Sequence, residues 1–92
     1  MALGPIDNYQ PRIGLAPGTT AAADITVTGC DGSTIQTTDT ITAVWCLTTA
    51  ALIESCADLT SEASITAAGI IQCATTDTSS NQLIVFWHDS GI

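Results

Sequence analysis

The run Gln82-Leu-Ile-Val-Phe-Trp-His88 limits what this chain can fold into more than any other stretch. Strand side chains alternate between two faces, so Leu83, Val85 and Trp87 point one way and Ile84, Phe86 and His88 the other. A short run of branched and aromatic residues that is apolar on both faces reads as a strand inside a β-structure. Thr40-Ile-Thr-Ala-Val-Trp-Cys-Leu47 repeats the pattern, with Ile41, Ala43, Trp45 and Leu47 on one face and Val44 and Cys46 on the other. Two-faced strands of this kind belong in the middle of a sheet stack or against another subunit. Trp45, Leu47, Phe86 and Trp87 are therefore candidates for the core or for a subunit interface.

Shorter β-type runs surround these two, separated by turn chemistry. Asp24 to Gly29 alternates, with Ile25 and Val27 facing together. Asp31-Gly32 supplies a tight turn, after which Ser33 to Thr37 reads as a returning strand. Thr49 to Ala57 reads as two turns of helix or as irregular chain, and Asp58 to Glu62 as a turn. Ser64 to Ala74 is one long strand or a hairpin broken at Gly69, and residues 75–81 are a polar loop. The expected fold is all-β: a small antiparallel β-sandwich or barrel over residues 23–92. Ahead of it, residues 1–22 hold all three prolines, Pro5, Pro11 and Pro17, a composition that argues against a helix or a central strand. That segment reads as an extended N-terminal arm with Ile6, Tyr9, Ile13 and Leu15 as apolar anchors.

Size and charge narrow the function. A 92-residue chain is one domain, and a domain this small buries only about 60–65% of its unfolded surface, so association with further subunits is expected. The net charge is −8 and Arg12 is the only Lys or Arg, which argues against nucleic acid and against anionic membrane surfaces. The first residues lack the basic and apolar regions of a secretory signal, so synthesis in a cytoplasm is expected, with thiols reduced. Cys30, Cys46, Cys56 and Cys73 then behave as small buried hydrophobes; two disulfides, or a zinc site assembled from Cys46, Cys56, Cys73 and His88, are the alternatives.

Reactive groupings are scarce. His88 and Asp89 are adjacent, and adjacent strand residues point to opposite faces, which does not make a dyad. No G-x-S-x-G turn frames a serine. Asp31-Gly-Ser33 and Asp77-Thr-Ser79 place oxygens on loops without the spacing of a calcium loop. Trp45, Trp87 and Tyr9 could stack on a sugar, although tryptophans within apolar runs belong more often to a core. The expectation is a protein that is not an enzyme and that uses no cofactor and no metal.

Three stretches carry a resemblance: Asp39-Thr-Ile-Thr-Ala-Val44, Ala57-Asp-Leu-Thr-Ser-Glu-Ala-Ser-Ile-Thr-Ala-Ala-Gly-Ile-Ile71, and Thr75 through Asp89. Together they resemble small capsid decoration, or cement, proteins of tailed double-stranded DNA bacteriophages. The resemblance implies a non-enzymatic structural virion protein on the capsid exterior, clamping neighbouring capsomers. Its partners would be the major capsid protein and copies of itself, in a homotrimer. The N-terminal arm would dock on the capsid through Ile6, Tyr9, Arg12, Ile13 and Leu15. The alternative is a tail or head-fibre module that binds a host glycan through exposed aromatic rings.

Overall fold

The computed structural model describes residues 11–47 and 56–90. Among these residues eight strands follow one another: β1 (Pro11–Pro17), β2 (Ile25–Thr26), β3 (Thr28–Gly29), β4 (Thr40–Leu47), β5 (Cys56–Asp58), β6 (Ala63–Ala67), β7 (Ile70–Cys73) and β8 (Gln82–His88). They make a five-stranded sheet in the order β3-β1-β8-β4-β5 and a three-stranded sheet in the order β2-β7-β6. Every pairing is antiparallel. The two sheets face each other across one core, with Ala16, Val44, Leu83, Val85 and Trp87 from the larger and Ile25, Ile71 and Cys73 from the smaller. The all-β sandwich expected from the alternating runs is the observed fold.

The two-faced runs lie in the interior of the larger sheet. β8 is its middle strand, paired with β1 from Pro11↔His88 to Pro17↔Gln82 and with β4 from Thr40↔His88 to Leu47↔Gln82. A register shift between Ile41 and Ala43 rotates the start of β4, so that Ile41 packs against the core while Ala43, Trp45 and Leu47 share the opposite face.

The N-terminal expectation needs correction over its second half. Residues 11–17 form β1, between β3 and β8, and residues 18–22 are tied to the sandwich by Gly18 N–H donating to the Asn81 carbonyl and Ala22 N–H donating to that of Cys73. Arg12, Ile13 and Leu15 are therefore strand residues and not arm anchors; Ile6 and Tyr9 lie outside the described residues. The prolines are tolerated for a backbone reason. Ile13 accepts from Cys30 N–H, so residues 11, 13, 15 and 17 turn their backbone polar groups towards β3, and β3 extends only opposite Gly14 and Leu15. Pro11 and Pro17 thus sit where no ladder partner waits for the missing N–H.

Two further readings change. The alternating stretch at 24–29 is divided between the sheets: β2 belongs to the smaller and β3 to the larger, with buried Val27 at the corner, its N–H donating to the Gly69 carbonyl. Ser33 to Thr37 forms no strand; Ile35 instead plugs the core and its carbonyl accepts from Gly69 N–H. The hairpin reading of 64–74 holds, with Gly69 at φ 77° in the turn between β6 and β7. The helical or irregular reading of 49–57 falls largely on residues 48–55, outside the described set, and its last two residues, Cys56 and Ala57, are in β5.

The polar loop at 75–81 locks onto β1's exit. Thr78 is fully buried; its hydroxyl accepts from Thr19 N–H and donates to the Thr19 carbonyl, and its own N–H donates to that carbonyl as well. A Cβ on Gly18 would fall inside the Thr78 backbone carbonyl. Gly18→Ala is expected to destabilise the fold by about 3 kcal/mol or more, and Thr78→Val by about 1–3 kcal/mol, through the orphaned Thr19 amide. A chain starting at Gly18, and so lacking β1, is expected to show no cooperative thermal transition. Urea denaturation and calorimetry check all three.

Candidate binding surface

A sheet has two faces, and the smaller sheet covers only one face of the larger. On the other face the register lines up side chains from neighbouring strands. Leu15, Ile84 and Trp45 form one row across β1, β8 and β4, with Thr28 and Asp58 at its two ends. Ile13, Phe86 and Ala43 form the next. Trp45 and Phe86 meet on the diagonal, ring centroids 5.1 Å apart and planes at 63°, an edge-to-face pair. Leu15 is 46% exposed, Ile13 42% and Trp45 38%, although these are among the largest apolar side chains of the chain.

Trp87, at 1% exposure, is core, whereas Trp45, Leu47 and Phe86 lie on the outward face, half-buried or exposed. Ile13 and Leu15 join that same face, so two arm candidates and three interface candidates belong to one surface. Ile84 completes it; the alternation of 82–88 already set it beside Phe86, but only the register of β1 and β4 reveals that it lies at the centre. Arg12 points away from this face. It donates to Asp31 Oδ2 and to Asp89 Oδ2, joining the loop after β3 to the end of β8.

The carboxylates are mostly engaged within their own turns. Asp31 Oδ1 accepts from Ser33 N–H and Asp77 Oδ1 from Ser79 N–H, so both loops weighed as calcium ligands close on themselves. Asp39 is buried, with Oδ2 accepting from Gln36 N–H and Oδ1 from Ser90 N–H. Glu62 receives four hydrogen bonds, from the N–H and hydroxyl of both Thr75 and Thr76. An open groove of about 320 Å³ runs between the start of β4 and β6, past Asp39 and Thr60, but Asp39 is already committed to its two amides. Among the described residues no three His, Cys, Asp or Glu side chains converge in a way that could hold a metal ion.

The four cysteines are free thiols, and the expected burial is met at two of them and not at the other two. Cys46 and Cys73 are buried on the inner faces of opposing sheets and burial raises both their pKa values, whereas Cys30 is exposed and Cys56 half-buried.

No family model, curated protein or solved structure matches this chain.

These hydrogen bonds set the acid response. Ser33, followed by Arg12, pulls the Asp31 carboxyl down to about 2; Thr60 lowers Asp58, Thr76 and Thr75 lower Glu62, and Ser79 lowers Asp77. Each group's folded value lies below its unfolded one, so its stabilisation is complete above the unfolded value and disappears as pH falls through the folded value. The melting temperature is expected to be level from neutral pH to about pH 5 and to decline from about pH 4 towards pH 2. The scan belongs in high salt, where relief of the −8 self-repulsion on acidification is screened.

Proposed function

We propose that this chain is a non-enzymatic structural protein of a phage virion that binds the capsid exterior and stabilises contacts between capsomers. The observation that carries the reading is the half-exposed aromatic and aliphatic face of the five-stranded sheet, a surface suited to being held against protein. The resemblance in residues 39–89 directs it to the phage head. The major capsid protein and further copies of the chain are its partners, and the threefold grouping that the resemblance implies is a property of the capsid site it occupies. The correction to the N-terminus narrows any arm to residues before Pro11, with Ile6 and Tyr9 as its anchors.

A structural role also suits the energetics. A filled head is pushed outwards by its DNA, and many repeated contacts resist rupture by mass action, with no bond made or broken. A small, acidic sandwich whose charges are satisfied within its own turns serves as a clamp without attracting the nucleic acid packaged nearby.

Half-exposed Trp45 beside Phe86 also favours a second reading, a tail or head-fibre module that stacks a host sugar on this ring pair. Quenching of tryptophan fluorescence across a glycan panel tests it.

For the leading reading, heads assembled from a genome lacking this gene are incubated with purified protein and pelleted. Saturable co-sedimentation is expected, together with a higher rupture temperature of the decorated heads. Protein that remains in the supernatant at every ratio refutes the proposal.

A further inference from the structure

The face that carries the proposed function does not by itself name its occupant, and its charge, size and symmetry do. We infer that in solution it packs against the same face of a second copy, about a two-fold axis running along β8. This names the partner of the surface described above, and it rests on reading that surface as a protein-binding one.

Charge comes first. Two chains of net charge −8 repel, and they approach at least cost through the surface that carries least of that charge. Of the described carboxylates only Asp58 stands in the outward rows, at the margin on β5, where its Oδ1 accepts from both the N–H and the hydroxyl of Thr60. The centre, made by Leu15, Ile84, Trp45, Ile13 and Phe86, is free of charged groups.

Size is the second consideration. Five strands about 4.8 Å apart, two of them only two and three residues long, with about 3.3 Å per residue, give a face of roughly 430 Å² before side-chain relief is counted. That is about half of the ~800 Å² per partner of a standard stable interface, which places the pair among modest, reversible dimers.

Symmetry settles the arrangement. A single patch used by both partners closes on itself only as an isologous pair, whereas a ring of three needs a second, different patch. The larger sheet is centred on β8, with β1 on one side and β4 on the other. A two-fold axis along β8 therefore lays β1 of one copy over β4 of the other. Leu15, Ile84 and Trp45 share one row, so Trp45 of each copy comes to rest on Leu15 of its mate, with Ile84 at the axis. A wide ring meets a branched side chain twice, and the margins bearing Thr28 and Asp58 stay at the wet rim.

The test is light scattering of the full chain over its soluble concentration range, with two variants, Leu15→Lys and Trp45→Glu. Both positions are already solvent-exposed, so retained near-ultraviolet circular dichroism and melting temperature are expected for each. The unaltered protein is expected to reach the mass of two protomers, and each variant alone to associate at least about tenfold more weakly. Mixing the two variants is expected to restore a dimer, because one contact becomes a Lys–Glu pair and the other keeps Trp on Leu. A monomer at all concentrations overturns the inference, as does a trimer, a dimer unaffected by either variant, or a mixture that stays monomeric while the unaltered protein pairs. A monomer that dimerises only after residues 1–10 are removed also overturns it, with the chain's own N-terminal segment as the occupant. None of these outcomes bears on whether the protein co-sediments with heads, so the two proposals fail separately.

Discussion

Pairing along both edges of β8 is the constraint from which the rest of the molecule follows. β1 and β4 can each find a full-length partner only there, and the inward side chains of β8, Leu83, Val85 and Trp87, form the floor of the core. The same alternation that buries those three sends Ile84 and Phe86 outwards. A three-stranded second sheet has one face to offer, so it cannot cover both sides of β8. The candidate binding surface is thus the reverse side of the core, with the outward residues of β8 along its middle. Polar replacements on the outward face leave the core intact, while replacements on the inward face remove both.

The acidic character of the chain is reconciled with a stable fold by local satisfaction more than by ion pairing. One arginine serves two aspartates, and the other described carboxylates accept N–H and O–H groups from residues close in sequence, from a facing loop or, for Asp24, from the side-chain amide of Gln72 on β7. These bonds keep a negative charge in place without a cation, at the turn where each carboxylate sits. A chain with no lysine can therefore close its turns, and its broad faces are left to threonine, serine and apolar residues.

Much of this was legible in the amino-acid order. The period-two runs at 40–47 and 82–88 mark their strands and both of their faces, Gly69 marks the β6–β7 turn, and Thr75 to Asn81 marks a loop. Less legible was whatever depends on which strand lies beside which. Pro11 and Pro17 suggested a segment excluded from sheets, because composition does not say that β3 stops short of both rings. Ile25 and Val27 look like one strand, since alternation cannot show that the chain changes sheets between them. Ile35, on a weakly apolar stretch, gave no sign that it would fill the core, and Ile84 became a central surface residue only once Leu15 and Trp45 were placed on either side. The proposed partner is beyond periodicity altogether and rests on the resemblance in residues 39–89 alone.

The position of β8 in the sheet also has a consequence in time. It follows every other strand of the sandwich in sequence, yet it stands between the first and the fourth. Its pairing with β1 spans about seventy residues, which puts a large share of the ladder among slow, non-local closures. Until β8 arrives, β1 and β4 have no edge to share, and their apolar rows stay open to other chains. A nascent copy therefore holds an incomplete sheet until β8 has been made, and that strand converts a sticky intermediate into a closed sandwich.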